Sequence, residues 1–394
     1  MATTLGACSD KAKIDVTPFE PTLSRSNYKA WYDYARPDMT EFAWTLWNWS
    51  PQLAPVARMA SAERKPMLLW LERGHPLGKT SDEGIQRRAL WTDGSLNGPL
   101  NKFYFAADDL NWLLDSEDPE GQLLSTILEQ DDNKADLLKH GGVILAAGGG
   151  KFLGSYSGQD AAELKIVMDQ ALSAWDGLAH DERRLAEISS MVSNDRPANL
   201  FPDAGLTLEI HRRPMAVEMD PTAERSNPWT HDYMWLSKAE IAPMMLKSLS
   251  EELDVPAMQA QRIALFTLVD DINANGKSFR AEDLQVAKLS LKSISKIGGV
   301  IRFTMSGEFK AENEERSMHC FVEGDGSMKI GEASIPQFNM SVQAQSWGDS
   351  VEATADGKAP LLTMGLHRVN SYEGSHRITP TQFDQYPTNW PVTD

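Results

Sequence analysis

Lys65-Pro66-Met67-Leu68-Leu69-Trp70-Leu71-Glu72-Arg73-Gly74-His75-Pro76-Leu77-Gly78-Lys79 is the stretch on which the reading of the fold turns. Residues 67–71 form an unbroken apolar run of strand length, the pattern of a strand covered on both faces. Gly74, Pro76 and Gly78 then break it into a loop. Downstream, Phe103-Tyr104-Phe105-Ala106-Ala107 predicts a second buried strand ending in Asp108-Asp109, and a helical segment follows over 119–130. Val143 to Ala147 predict a third strand, which Gly148-Gly149-Gly150 turns into Lys151-Phe152-Leu153 as a hairpin. Strand rather than helix follows these glycines, so they do not make a phosphate loop. Asp160 and Glu163 open a helix in which Leu164, Val167, Met168, Ala171, Leu172 and Trp175 recur at helical spacing. A polar extension through Asp181-Glu182-Arg183-Arg184 is expected to run to about 195, where Asn194-Asp195-Arg196-Pro197 marks a boundary.

Upstream lies an aromatic, proline-punctuated arm, residues 1–60, with Tyr28, Trp31, Tyr32, Tyr34, Trp44, Trp47 and Trp49. It is expected to wrap the first domain. From 205, Leu206, Leu208 and Ile210 alternate with polar residues, predicting a half-buried strand. Ser237 and Glu240 open a short helix, and Pro256 another, with Met258, Leu265, Phe266 and Val269 facing inward. Beyond 284 the period becomes two: Leu289 and Leu291, then Ile301, Phe303 and Met305, then Phe338, Met340, Val342 and Ala344. That predicts an antiparallel sheet.

The element order over 61–180 and the words around His75 resemble the thioredoxin-like superfamily. The family carries a Lys-Pro lead-in, a buried strand and then Cys-x-x-Cys with a following Lys or Arg. Matching position by position places His75 and Gly78 where the two cysteines stand. The family also holds a cis-proline before the third strand, where this chain has Gly141-Gly142-Val143. The family works by thiolate attack on a disulfide, which neither His nor Gly can perform. The resemblance therefore implies a scaffold with a degenerate site, and its layout is similar to secreted or lipid-anchored bacterial proteins that join such a domain to a β-rich one. The expected organisation is an α+β chain: the arm (1–60), a thioredoxin-like α/β domain (61–195), a connector with strand and helices (196–283) and an antiparallel β domain (284–394).

Composition narrows the partners. The chain has 394 residues, with 38 basic against 56 acidic side chains and a net charge of −18, which repels nucleic acid and anionic lipid surfaces. No apolar run is long enough to span a bilayer, so membrane association is expected only through a lipid anchor. Leu5-Gly6-Ala7-Cys8 resembles the lipobox at which bacterial lipoproteins are acylated on the cysteine, giving an extracytoplasmic expectation with Cys8 as the candidate lipidation site. Cys8 and Cys320 are the only cysteines and build neither a disulfide framework nor a zinc site.

Several motifs compete with structural explanations. Asp271, Asn273, Asn275, Gly276 and Glu282 match the EF-hand calcium loop, whose alternating oxygen ligands and bidentate Glu encircle the ion. Ser278 stands where paired loops want an aliphatic residue, and no second copy exists. His319 and Cys320 are neighbours on a strand and point to opposite faces, which disqualifies them as a base and nucleophile. His75, with Glu72 and Arg73, is the starting point for a non-dithiol enzyme site. Trp44 and Trp47, at i, i+3 spacing, would form a platform for carbohydrate or proline-rich peptide if exposed, against the alternative of packing. The leading expectation is a non-catalytic extracytoplasmic interaction or structural protein with no catalytic residues and no cofactor. An enzyme site near His75 and a calcium- or carbohydrate-binding module are the alternatives.

Overall fold

The structure, a computed structural model, describes residues 20–184 apart from 116 and 118, and residues 201–386 apart from 203–204, 216–219, 223–228, 274–277, 350, 352–353, 355–357, 370–377 and 382–385. Cys8, Asn275 and Gly276 lie outside the described residues. The architecture is α+β, with one mixed sheet of four strands and one antiparallel sheet of eight. Contacts group the chain into two units that are discontinuous in sequence: residues 1–36, 210–230 and 238–368 form one, and residues 37–209, 231–237 and 369–394 the other. These groupings cut across the four consecutive segments expected from the sequence.

The second unit contains the mixed sheet. Its strands are β1 (Met67–Glu72), β2 (Tyr104–Asp109), β3 (Gly142–Ala146) and β4 (Phe152–Tyr156), in the order β2-β1-β3-β4. β2 runs parallel to β1, β3 antiparallel to it, and β3 and β4 form the expected hairpin. All six residues of β1 are buried, as the apolar run requires of a central strand. Leu69 and Leu71 join the helices Leu53–Glu63 and Pro119–Leu128 in one apolar core. The helix Ala161–Gly177 buries Leu164, Met168, Ala171 and Trp175, with Asp160 accepting from the Ala162 and Glu163 amides. It stops at Gly177 instead of running on: residues 181–184 form a turn, and residues 185–200 are outside the described set.

The eight-stranded sheet has the order β6-β5-β12-β11-β10-β9-β8-β7, from β5 (Leu206–Pro214), β6 (Thr230–Leu236), β7 (Glu252–Asp254), β8 (Leu284–Ile297), β9 (Val300–Glu312), β10 (Arg316–Lys329), β11 (Ser334–Gly348) and β12 (Leu361–Arg368). The division between the two units falls inside β5 and β6. β8 to β12 bury apolar residues in period two, including Leu289, Phe303, Cys320, Met340 and Met364.

Three expectations need correction. β5 is buried on both faces rather than half-buried, because its polar side chains find interior partners: Arg212 donates to the Phe266 carbonyl (2.9 Å) and pairs with Asp271 (3.5 Å). Met258 is 55 % exposed on the helix Ala257–Thr267, whose inward face is carried by Ile263, Ala264 and Phe266. The arm also does not act as one piece. Its helix Tyr28–Ala35 packs on β10, β11 and β12 of the first unit, where Trp31 and Tyr34 cluster with Met215 and the Tyr28 hydroxyl donates to Asp325 (2.7 Å). Residues 37–60 belong to the second unit, where Ser50 bridges to Ala106 at the edge of β2.

Candidate functional site

The loop after β1 is where a thioredoxin-type site would lie, and its own neighbours close it. Gly74, at φ +79°, starts the loop and forms a bridge with Thr80, while the Ser81 amide donates to the Arg73 carbonyl (2.9 Å). A Cβ at Gly74 would run into the Lys79 carbonyl, so the tight neck depends on glycine. Ser81 then caps the helix Asp82–Arg87, its hydroxyl accepting from the Gly84 amide (3.1 Å).

Within this neck Pro76, Leu77 and Gly78 are buried and His75 is half-buried. Each carbonyl of the buried part has a donor: Arg88 Nη2 serves Pro76 (3.0 Å) and Gly78 (2.7 Å), and His231 Nε2 serves Leu77. Burial lowers the Arg88 pKa to about 10, leaving it charged at neutral pH, and its guanidinium lies 4.8 Å from the Trp44 ring centre. Trp44, Trp49, Trp70 and Trp91 pack around this point in edge-to-face and tilted pairs, with ring centres 5.1–6.0 Å apart. Trp44 is 1 % exposed, and Trp47, half-buried, donates to the Trp91 carbonyl (3.0 Å). Of the two alternatives for Trp44 and Trp47, platform or packing, the structure shows packing: Trp44 lies against Trp70 of β1 (ring centres 6.0 Å apart) and Trp47 against Phe105 of β2 (5.6 Å).

His75 is tied down in one tautomer. Its Nδ1 accepts the Leu77 amide (3.2 Å), so the proton sits on Nε2, which donates to the Pro51 carbonyl (3.3 Å). Glu72 and Arg73 do not converge on it. Arg73 donates to the carbonyls of Leu138 (2.9 Å) and Lys139 (3.1 Å). Glu72, fully buried, takes a two-oxygen bond from Arg87 Nη1 (2.7 and 2.6 Å) and the Trp70 indole N–H (2.7 Å). Burial pushes the Glu72 carboxyl up to about 7 against the pull of the Arg87 guanidinium. Arg87 spends its remaining donors on the carbonyls of His140, Ser157 and Gly158. Gly141, at φ +70°, lies against this pair: a Cβ there would collide with Glu72 Oε2. The stretch in which the resemblance expects a proline is thus moulded to a buried ion pair.

The calcium pattern is likewise engaged otherwise. Asp271 accepts from Thr230 (2.8 Å) and pairs with Arg212, the Asn273 amide group donates to Asp270, and Glu282 is exposed beside Arg280. Among the described residues no group of three or more His, Cys, Asp or Glu side chains is placed to hold a metal. His319 Nε2 meets Glu308 (2.8 Å) on one face of β10 and Cys320 is buried on the other, as strand geometry requires. Burial holds the Cys320 thiol far above the usual thiol range.

One cavity, of about 220 Å³, lies away from this loop and is lined by Arg64, Leu178, His180, Arg183 and Arg184. No motif or spacing joins Arg64 to residues 178–184; the turn at Gly148-Gly149-Gly150, against which both segments pack, was the available signal. Among the described residues no helix is long and apolar enough to cross a membrane. Comparison with known proteins finds no matching family model, no matching curated protein and no matching solved structure.

Proposed function

We propose that this chain is a non-catalytic extracytoplasmic interaction or structural protein, built on a redox-inactive thioredoxin-like scaffold and acting on protein partners. The observation that carries the reading is the closed loop: Pro76, Leu77 and Gly78 face inward, their carbonyls bound by Arg88 and His231. A loop whose polar groups are satisfied from within offers no backbone to a substrate. The strand order β2-β1-β3-β4, with β1 and β2 parallel and β3 reversed, supports the scaffold. Acylation at Cys8 would supply the anchor.

The test restores the chemistry and asks whether the site can use it. The double variant H75C/G78C is assayed for insulin reduction alongside the unmodified chain. Neither is expected to turn over, because a dithiol made there stays shielded from a disulfide substrate. Turnover by the unmodified chain, or turnover on a par with a working dithiol oxidoreductase by the variant, would defeat the reading.

A further inference from the structure

The cavity beside Arg64 is cationic in a chain of net charge −18. Arginines in so acidic a protein are expected to find carboxylates. Here they do not: Arg64, His180 and Arg184 have no ion pair or side-chain hydrogen bond among the described residues. Arg183 gives one Nη2 donor to the Asp176 carbonyl (3.0 Å), rests its guanidinium 5.1 Å from the Trp175 ring centre, and has its Nε buried without a partner. Of the acidic neighbours, Glu182 accepts the Ala179 amide (3.0 Å) and Glu63 accepts the Tyr104 hydroxyl; Asp176 and Asp181 are exposed. Three arginines therefore line one depression, with most of their guanidinium donors unspent among the described residues.

Two local features build this arrangement. A Cβ at Gly148 would strike Ser61, and one at Gly149 would strike the Arg184 carbonyl, so the glycine turn lets the helix Leu53–Glu63 and residues 182–184 approach it closely. Arg64 itself ends that helix in the left-handed conformation, φ 59° and ψ 49°, where glycine is the unstrained residue.

We propose that this cavity binds a phosphate or sulfate group, free or carried on a small molecule. Guanidinium forks match the paired oxygens of such anions. The volume falls below the roughly 300 Å³ at which pockets for drug-sized molecules begin, which favours a single anionic group over a large ligand. The site is independent of the loop at 75–78.

The test titrates the full chain with inorganic phosphate and, separately, sulfate at fixed ionic strength, followed by calorimetry. One saturable site is expected, with affinity in the millimolar range or tighter. Arg64→Gly should weaken binding at least about tenfold while leaving the melting temperature equal or higher, because glycine relieves the strained cap. Arg184→Ala, an exposed side chain with no bond among the described residues, should weaken it by a similar factor. Lys292→Ala, an exposed lysine on β8, should change nothing. If Arg64→Gly melts lower, Arg184→Ala alone decides. Absence of saturable binding up to about 10 mM of either anion, unchanged binding in Arg184→Ala, or equal weakening in Lys292→Ala overturns the assignment, the last by showing general charge attraction.

Discussion

Glu72 sits at the end of β1 with no exposure, held by Arg87 and the Trp70 indole, and burial pushes its carboxyl from 4.5 to about 7. A carboxyl raised in the fold binds its proton more tightly there than in the unfolded chain. Its favourable contribution is therefore complete below about pH 4.5 and lost as pH climbs through about 7. Glu72→Gln carries no such titration. The urea midpoint of the natural chain, relative to that of Glu72→Gln, should fall as pH rises from 4.5 to 7. A constant gap across that window would show that pairing with Arg87 fully offsets burial of the charge. At the same scale His75 differs from a poised base, because both ring nitrogens are committed to backbone groups.

The glycine turn between β3 and β4 works at the level of elements. Gly148 faces the last turns of the helix Leu53–Glu63, and Gly149 faces the backbone at Glu182 and Arg184. Adding one methyl at Gly149 forces one of these segments outward. Gly149→Ala should lower stability by about 2 kcal/mol, the scale of overpacking in a tight interior, as read from chemical denaturation. Stability equal to the natural chain would show that residues 182–184 yield freely. The helix Tyr28–Ala35 shows the complementary principle, since its aromatic residues have a sheet to cover: Tyr32 packs against Gly365 of β12, and Tyr28 bonds Asp325 of β10. Proximity in sequence to the first buried strand says nothing about which surface such a helix will choose.

For the molecule as a whole, the second unit is assembled from three separated pieces of chain. His231 closes the loop at Leu77, Ile378 packs on Gly78, the Thr381 amide donates to Asp232 (3.1 Å), and the Tyr386 hydroxyl bonds both backbone groups of Trp235 (2.7 and 2.9 Å). A fragment of residues 37–209 keeps all four strands of the mixed sheet and loses every one of these contacts. It should unfold with weaker cooperativity and at a lower denaturant concentration than the full chain, as followed by tryptophan fluorescence. Unfolding of the fragment at the full chain's midpoint would show that the distant pieces are dispensable.

Part of each sheet was legible in the sequence because its signals are local, whereas β6, β7, β10 and β12 were not among the predicted strands. An unbroken apolar run gave β1, period two gave β8, β9 and β11, and a capped 3.6-residue period gave the helix after Asp160. The lack of thiols at His75 and Gly78 was equally plain, since it depends on residue identity alone. Only the tertiary structure decided that the loop is plugged by Arg88 and His231, that Trp44 is interior, that Asp271 belongs to Arg212, and that Arg64 meets Arg183 and Arg184 in one cavity. Each of these depends on partners far apart in the chain. Periodicity tells which face of an element is apolar, but a guanidinium or carboxylate takes its role from what the fold brings within reach of it.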